Sequence, residues 1–189
     1  MKLNKTISMV IAALIAFHIF QSNGCNSHPV PQNRLSVYFS SQTESPERIL
    51  TNLFNTVQKG GYIYVAIYAF DSEAIFQSLK EAKNRGVDVK IIADSSQTKN
   101  SQKDILDKLK AIGVPIKVNI DPYKNMHMKV SIINDRYVAT GSCNYTQKAQ
   151  KDNEENLLVI PAGADKKAVM CYRNAFLDMW ENMEKYRDY

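Results

Sequence analysis

The chain has 189 residues, of which 44% are hydrophobic and 23% are charged. That length allows one domain with a sizeable core and excludes two domains of ordinary size. The 24 Lys and Arg residues outnumber the 19 Asp and Glu residues, so the net charge is +5. This mild excess suits a polyanionic partner such as nucleic acid or a membrane surface, although many proteins with neither partner share it.

The N-terminal segment has the three-part layout of a secretory signal peptide. Lys2 and Lys5 form a basic start, an apolar run of 14 residues follows at 7–20, and QSNG comes after it. The run is shorter than the ~20 residues that span the hydrocarbon core of a bilayer. We therefore predict a signal peptide over residues 1–24, cleaved before Cys25, and export to the periplasm or the medium. An uncleaved N-terminal membrane anchor and a lipidated Cys25 are the alternatives.

The three cysteines are Cys25, Cys143 and Cys171, and no two of them form a Cys-x-x-Cys pair. A zinc knuckle is therefore not expected. In an exported protein, Cys143 can pair with Cys171 in a disulfide. Two buried free thiols are the alternative, and the sequence does not decide between them.

A polar, proline-bearing linker at residues 25–34 precedes the predicted domain, which covers residues 35–189. Strands that alternate with helices of ~10 to 15 residues predict βαβ units, and hence parallel strands with helices on the faces of the sheet. The first predicted elements, in chain order, are strand 35–40, helix 45–61, strand 62–70, helix 71–86, strand 87–94, helix 101–113 and strand 114–120.

The second half of the chain does not continue the alternation of strands and helices. The apolar runs MKVSIIN and RYVATGS are joined by a tight turn at Asn134–Asp135, which predicts an antiparallel hairpin. A strand at 155–162 and a long helix at 163–183 complete the domain. The predicted fold class is α/β, with a mixed, largely parallel sheet flanked by helices on both faces. One face of the last helix carries residues that we assign to the core, namely Val169, Tyr172, Phe176, Met179 and Trp180.

The histidines limit the kinds of site that the chain can form. His18 lies in the signal segment and His28 in the linker, so His127 is the only histidine of the predicted domain. A histidine-rich metal site within one chain is excluded, and although a carboxylate-only site is not, the acidic residues show no dense cluster. The chain also lacks the G-x-S-x-G elbow, the G-x-x-x-x-G-K-[ST] phosphate loop and the G-x-G-x-x-G fingerprint.

The hairpin carries polar residues at its open end. Side chains at i and i+2 of a strand point the same way, so His127 and Lys129 share one face of the first strand. By the same rule, Ser142 and Asn144 share one face at the end of the second strand, and the turn brings the two ends side by side. A lysine charge, a hydroxyl and an amide can together bind the oxygens of a phosphate. A histidine among them is suited to act as a nucleophile or a general acid.

The complete motif resembles that of a known family. His127-x-Lys129, the hairpin, GSCNYT at 141–146 and EENLLVI at 154–160 together resemble the single-motif phospholipase D superfamily, and within it the small secreted bacterial endonucleases. The resemblance covers about residues 35–183, including the order of the strands and the closing helix. It implies the α/β/α sandwich of that superfamily, with one motif per chain.

The resemblance also implies a mechanism, which is a two-step phosphodiester hydrolysis that uses no metal and no other cofactor. In that mechanism His127 attacks phosphorus and forms a phosphohistidine. Lys129, Ser142 and Asn144 bind the non-bridging oxygens. Glu155 accepts a hydrogen bond from the imidazole and thereby fixes its tautomer, with the attacking nitrogen unprotonated.

One position departs from the family's pattern. That pattern is His-x-Lys-x4-Asp, whereas here position 134 is an asparagine and Asp135 follows it. A turn accepts Asn in place of Asp because both side chains cap the local backbone. We predict that Asn134, Asp135 and Gly141 have structural roles in the motif and that activity survives. A degenerate member that binds nucleic acid without cleaving it is the alternative.

Among the activities of this superfamily, we predict a metal-independent, non-specific endonuclease that hydrolyses DNA or RNA. The short chain leaves little sequence for a lipid-docking lobe. Basic and aromatic residues at 123–129 and 145–151 are expected to line a groove for a polyanionic strand, with solvated loops as the alternative. Phospholipase D activity on phospholipids is the alternative function.

The number of histidines predicts an assembly. The two-step mechanism needs one histidine to attack phosphorus and another to protonate the leaving oxygen and then activate water, and this domain has one. We therefore predict a homodimer that places His127 against its symmetry mate in a composite active site. A bell-shaped pH profile should report the pair. The composite site would contain two copies each of His127, Lys129, Ser142, Asn144 and Glu155.

Overall fold

The structure is a computed structural model that describes residues 32–41, 44–98, 101–121 and 123–189, with only the backbone described at 101 and 102. The predicted signal peptide, Cys25 and most of the predicted linker lie outside the described residues. Within the described ranges, no helix is both long and apolar enough to cross a membrane.

The described residues form eight strands, five α-helices and one 3₁₀ turn at Ser95–Gln97. All the elements predicted from the sequence are present. The sequence analysis missed the 3₁₀ turn, α4 and β8, which have only three to five residues each. The strands are β1 (Ser36–Phe39), β2 (Tyr62–Ile67), β3 (Asp88–Ala93), β4 (Ile116–Asn119), β5 (Lys129–Ile133), β6 (Tyr137–Gly141), β7 (Asn156–Pro161) and β8 (Tyr186–Asp188). The helices are α1 (Pro46–Asn55), α2 (Glu73–Asn84), α3 (Ser101–Ala111), α4 (Gln147–Lys151) and α5 (Ala162–Glu181).

All eight strands belong to one sheet, in the order β1-β7-β6-β5-β2-β3-β4-β8. Parallel pairing is confined to β2, β3 and β4, and the other neighbours pair antiparallel. The mixed sheet is confirmed, with the correction that it is mainly antiparallel rather than largely parallel. The reason is that the βαβ units supply only three strands before the chain enters the β5–β6 hairpin and returns along β7.

The helices begin where the sequence indicates. Ser45 accepts a hydrogen bond from Arg48 N at 3.3 Å ahead of α1, and Ser72 accepts one from Ile75 N at 3.2 Å ahead of α2. Each serine oxygen satisfies an N–H group that has no partner within the first helical turn. These caps fix where the helices leave the sheet.

The sheet separates two apolar layers. Helices α1, α2 and α3 pack on one face, and α5 covers the other face. On α5, Val169 and Phe176 are buried, while Tyr172, Met179 and Trp180 are partly buried, so the predicted core face of this helix is confirmed. The phenyl ring of Phe176 stacks between Tyr64 of β2, at 5.1 Å, and Trp180, at 5.9 Å.

Several strands meet at what we call the motif end of the sheet. Strands β2, β3 and β6 end there, and β5 and β7 begin there. In open α/β sheets, ligands commonly bind outside the carboxyl ends of the parallel strands, which here are the ends of β2, β3 and β4. The motif end therefore combines a favoured ligand-binding position with the polar residues of the hairpin.

Candidate active site

The hairpin register brings the two halves of the predicted site together. Val130 pairs with Thr140 in β5 and β6, so β5 begins at Lys129 directly beside the end of β6 at Gly141. His127 lies two residues before Lys129, and Ser142 follows Gly141. This is the arrangement that the alternation of the sequence predicts.

Lys129 and His127 are in direct contact. Lys129 is buried, with only 7% of its surface exposed, whereas His127 is exposed. The Lys129 Nζ atom lies 3.1 Å from His127 Nδ1 and donates a hydrogen bond to the His127 carbonyl oxygen at 3.0 Å. Burial lowers the pKa of the Lys129 ammonium, and the negative charge of Glu155 opposes that shift. A partly desolvated cation next to an accessible imidazole is suited to binding an anion there.

Tyr68 is a site residue that sequence reasoning missed. Its ring centroid lies 4.4 Å from that of the His127 imidazole, at an interplanar angle of 52°, and 4.9 Å from Lys129 Nζ. The same ring therefore contacts both residues of the predicted catalytic pair. The sequence analysis placed Tyr68 inside the strand predicted at 62–70, but β2 ends at Ile67. An aromatic residue just beyond the carboxyl end of a buried strand was the available signal.

Glu155 is placed differently from the prediction. Its carboxylate accepts hydrogen bonds from the Ser142 hydroxyl and from Asn153 Nδ2, the latter at 3.0 Å. Within the described part of the chain, no hydrogen bond joins Glu155 to the imidazole of His127. The cause is the β6–β7 pairing, which sets Ser142 beside the start of β7, where Asn156 N also donates to Ser142 Oγ at 3.1 Å. Glu155 therefore orients Ser142 in this structure.

Asn144 is tied to the end of β2. Its Oδ1 atom accepts a hydrogen bond from the backbone N–H of Ala69 at 3.2 Å, and Ala69 directly follows Tyr68. Because that bond occupies the amide oxygen, the amide nitrogen is the group available to donate to a ligand. The structure thus joins Asn144 to the segment that carries the Tyr68 ring.

Gly141 stands where no side chain fits. A Cβ atom added at this position would lie 2.2 Å from the backbone carbonyl oxygen of Asn156 in β7. Backbone atoms of a paired strand cannot move aside without breaking the ladder, so the close approach of β6 and β7 requires glycine. This close approach suits the predicted structural role of Gly141, which directly precedes Ser142.

A comparison with protein families fits this geometry. A family described as "Cardiolipin synthase, PLD-like domain" matches residues 50–180, which is more than half of the chain. The chain belongs to the phospholipase D-like family. The matched segment contains the whole candidate site, from Tyr68 to Glu155.

Individual relatives support the same assignment. The chain is 38% identical over 99 residues to the phospholipase D of Rickettsia bellii, and 29% identical over 117 residues to the mitochondrial cardiolipin hydrolase of Chlamydomonas reinhardtii. These matches cover 52% and 62% of this chain, and 48% and 50% of those proteins. The chain therefore spans about half the length of these curated relatives.

A solved structure covers more of the domain. Nuc of Salmonella typhimurium, described as a phospholipase D family member, matches with a TM-score of 0.73 and 27% identity, over 82% of this chain and 97% of Nuc. The predicted α/β/α fold of the superfamily is confirmed by this match. The family match and the likeness to Nuc therefore agree on the phospholipase D-like family.

The turn position that departs from the pattern of the phospholipase D superfamily lies far from the motif end. Asn134 and Asp135 have φ values of 51° and 52°, as expected for the two central residues of a tight hairpin turn. Strand β5 separates them from Lys129 by about 16 Å, at ~3.3 Å per residue. Asp135 accepts a hydrogen bond from the Tyr62 hydroxyl and forms an ion pair with Arg173 at 2.8 Å. These contacts suit a structural role for the turn.

The groove predicted from basic and aromatic residues needs a correction. Tyr145 is 1% exposed, and its hydroxyl shares a hydrogen bond with Ser131, so it belongs to the core rather than to a groove. Burial raises the pKa of that hydroxyl. In contrast, Tyr123 is 94% exposed, and Lys148 and Lys151 of α4 are exposed. These three side chains remain available to a ligand at the motif end.

Cys143 and Cys171 do not form a disulfide. Cys143 is buried, Cys171 is exposed on α5, and both are free thiols. Burial raises the pKa of the Cys143 thiol to about 12, so this thiol stays protonated near neutral pH. Its position between Ser142 and Asn144 therefore contributes packing, together with a hydrogen bond from Gln150 Nε2 at 3.1 Å.

Candidate metal ligands are not clustered in the described ranges. These residues contain no group of three or more His, Cys, Asp or Glu side chains that could hold a metal ion. The prediction of metal-independent activity stays a prediction and is tested below.

Proposed function

We propose that the chain is a metal-independent endonuclease that hydrolyses the phosphodiester backbone of DNA or RNA. The observation that carries the proposal is the buried Lys129 ammonium against the exposed imidazole of His127, at a sheet end that also presents Ser142 and Asn144. An exposed nucleophile beside a cationic oxyanion site suits a phosphodiester within a polymer, because a long strand can pass over it without entering a deep pocket.

The surroundings of the site favour a polyanionic strand over a lipid. Lys148 and Lys151 are exposed on α4, which begins soon after Asn144, and Lys124 and Tyr123 are exposed in the loop that leads to His127. Basic side chains bind backbone phosphates, and an exposed aromatic ring can stack on a base.

The proposed reaction has two steps. In the first, a ring nitrogen of His127 forms a bond to phosphorus while the bond from phosphorus to the ester oxygen breaks, and the leaving oxygen takes a proton from a second imidazole. In the second, that imidazole removes a proton from water, the water oxygen bonds to phosphorus, and the phosphorus–nitrogen bond breaks. Lys129 and Asn144 bind the non-bridging oxygens. Since Ser142 directs its proton to Glu155, its hydroxyl must rotate before it donates to the phosphate.

The second imidazole is proposed to come from a second copy of the chain. The predicted domain contains His127 as its only histidine, and a two-fold axis near it would place two imidazoles on one phosphate. The homodimer would then hold one composite site, and its two histidines would begin the reaction in different protonation states. A bell-shaped pH profile is the expected kinetic signature.

The substrate is tested with one protein preparation and three substrates. Plasmid DNA, single-stranded RNA, and vesicles of phosphatidylcholine with cardiolipin are each incubated with the wild-type protein, in EDTA and in magnesium. We expect cleavage of nucleic acid in EDTA and none by His127→Asn. Loss of activity in EDTA with recovery in magnesium would instead indicate a carboxylate metal site.

A phospholipase activity is the second candidate, because curated relatives of this chain are named phospholipase D and mitochondrial cardiolipin hydrolase. Hydrolysis of the vesicles without cleavage of nucleic acid would favour it over the endonuclease. Binding of nucleic acid with no hydrolysis of any substrate would identify a degenerate member.

The composite site has its own test. Wild-type subunits are mixed with an excess of His127→Asn subunits, and activity is measured per wild-type chain, with light scattering to follow the oligomeric state. A shared site predicts that activity per wild-type chain falls as heterodimers replace wild-type dimers. Full activity in the heterodimer, or a monomer in light scattering, would contradict the assembly.

Export is proposed from residues 1–24 alone. N-terminal sequencing of the protein recovered from the periplasm or the medium should begin at Cys25 if the signal is cleaved. Recovery from membranes with residues 1–24 intact would favour the anchor, and a blocked N-terminus at Cys25 would favour lipidation.

A further inference from the structure

Asp94 is a buried carboxylate at the carboxyl end of β3. Its side chain is completely inaccessible to solvent. An ionised carboxylate is costly to bury unless hydrogen-bond donors surround it. Three donors do so here, namely Ser96 N at 2.9 Å and Ser96 Oγ, which both bond to Oδ1, and Met126 N at 2.6 Å, which bonds to Oδ2.

The bond from Met126 fixes the backbone just before His127. On the other side of His127, the carbonyl oxygen of Met128 accepts a hydrogen bond from Tyr68 N at 2.9 Å. His127 therefore lies between two backbone anchors, one at the end of β3 and one at the end of β2. Because His127 is exposed, these backbone anchors help to limit where its imidazole can go.

The hydrogen bonds from Ser96 to Asp94 support the imidazole of His127 indirectly, through Gln97 and the Tyr68 ring. They hold the 3₁₀ turn Ser95–Gln97 against Asp94, and Gln97 Nε2 donates to the Tyr68 hydroxyl at 3.0 Å. The Tyr68 ring in turn packs against the imidazole at 4.4 Å between centroids. Each oxygen of one carboxylate thus supports a different part of His127, its backbone through Met126 and its ring through Tyr68.

We propose that Asp94 is a positioning residue for His127, which holds the histidine backbone and the aromatic ring against its imidazole in one fixed arrangement. The proposal rests on the proposed function only for the consequence that misplacing the imidazole slows the reaction. A displacement of about 1 Å in a reacting group can reduce a rate by ~100-fold.

Asn119 supports the same loop farther from the site. Its Oδ1 atom accepts a hydrogen bond from Ser95 N at 2.7 Å, and its Nδ2 atom donates to the Lys124 carbonyl oxygen at 2.7 Å. The loop that leads to His127 is therefore held at two points, at Lys124 by Asn119 and at Met126 by Asp94. Only Met126 is adjacent to the histidine. A graded effect should follow, larger for Asp94 than for Asn119.

The central experiment replaces Asp94 with its isosteric amide. In Asp94→Asn, an NH2 group replaces one carboxylate oxygen and faces either the two donors of Ser96 or the N–H of Met126. Because two donors cannot bond to each other, one of the two connections from Asp94 to His127 must break. We expect kcat to fall by ~10–100-fold with KM unchanged, and a smaller fall for Asn119→Ala. Asp88→Asn is the matched control, because Asp88 lies at the opposite end of the same strand and bonds to Tyr64 and Lys90.

A readout that does not depend on activity separates this proposal from the proposed function. The full chain is labelled at histidine, and the imidazole signals of His127 are assigned by their loss in His127→Asn. In Asp94→Asn we expect these signals to shift or broaden, while Asp88→Asn leaves them unchanged. If the wild-type protein cleaves no phosphodiester at all, the proposed function fails, and the spectrum still decides whether Asp94 positions the ring.

A second pair of variants covers the case in which Asp94→Asn does not fold. Gln97→Leu leaves the carboxylate in place and removes the bonds from Gln97 Nε2 to the Tyr68 hydroxyl and to Ser96 Oγ, the latter at 3.3 Å. Tyr68→Phe removes the bond between Gln97 and the Tyr68 hydroxyl from the other side and leaves the one to Ser96 in place. Both should shift the His127 signals in the same way. Unchanged His127 signals and unchanged kcat in the folded Asp94 variant, or in both members of this pair, would overturn the proposal.

Discussion

The two ends of the β5–β6 hairpin carry similar residue types in opposite arrangements. At the turn, the carboxylate of Asp135 is neutralised by Arg173 and also bonded to Tyr62. At the motif end, Lys129 takes part in none of the ion pairs of the described residues, and its nearest partners are His127 and the ring of Tyr68. A closed, charge-balanced network stabilises a fold, whereas a buried cation without a carboxylate partner is ready to bind an anion.

The strongest contrast between the two ends should appear in the rate. We expect His127→Ala to abolish turnover and Lys129→Ala to reduce kcat by ~10²–10³-fold, because each removes a group that acts on the transferring phosphate. Asp135→Ala at the turn should leave kcat essentially unchanged. The measurement is steady-state hydrolysis of the best substrate found, with circular dichroism to verify folding. Retained activity in His127→Ala would remove the basis of the mechanism.

A methyl group at Gly141 should reduce both stability and activity. In Gly141→Ala the new Cβ atom would collide with the Asn156 carbonyl oxygen, so β6 and β7 must separate at the motif end. Overpacking of this kind typically costs ~1–3 kcal/mol, to be measured by urea unfolding. Thr140→Ala, one residue earlier in β6, adds no atoms and serves as the control. Equal stability of the two variants would show that the ladder tolerates the strain.

The sequence predicts the features that depend on local patterns. The hairpin, its turn at Asn134–Asp135 and the core face of α5 follow from alternation, turn chemistry and helical periodicity, and all three are confirmed. Short elements such as β8 were missed because three residues carry no periodicity, and β8 is stabilised by pairing with a distant strand, β4.

The partners of side chains were harder to predict than the strands that carry them. The contact of Tyr68 with His127 joins chain segments that no local pattern connects, and so does the bond from Asp94 to Met126 N. Glu155 was assigned to the imidazole through the family resemblance, but the pairing of β6 with β7 brings it to Ser142 instead. Residue types in a motif fix the available chemistry, whereas tertiary packing decides which groups meet.

Alkaline pH should weaken the turn end of the hairpin through Tyr62. Burial raises the pKa of the Tyr62 hydroxyl, and its bond to the Asp135 carboxylate raises it further. A group whose pKa is raised in the folded state contributes its stability fully below the unfolded pKa, here 10.0, and loses it as the pH rises through the folded value.

The free energy of unfolding should therefore fall as the pH rises above about 10, and it should fall less steeply in Tyr62→Phe. Urea unfolding of both proteins between about pH 8 and pH 11 measures the difference, in which the contributions of the other tyrosines cancel. An identical pH dependence in the two proteins would show that Tyr62 is not linked to folding.

The smallest effect is expected at Asn134, where the chain departs from the pattern of its family. The residue has a φ of 51°, which Asn and Asp both tolerate, and it lies about 16 Å from Lys129 along β5. Asn134→Asp should therefore change kcat little, and the added charge lies near the guanidinium that already neutralises Asp135. Asn134→Ala should lose ~1–2 kcal/mol of stability from left-handed strain, with kcat retained.

Asn134→Gly separates strain from side-chain contacts, because glycine adopts a positive φ without strain but lacks the amide. If the glycine variant is about as stable as the wild type and the alanine variant is less stable, the loss in the alanine variant comes entirely from backbone strain. The informative failure is a large gain in kcat in Asn134→Asp. Since no direct contact joins the turn to His127 or Lys129 within the described residues, such a gain would mean that the turn controls the register of β5 at the motif end, and that this chain is a partly degenerate member of its family.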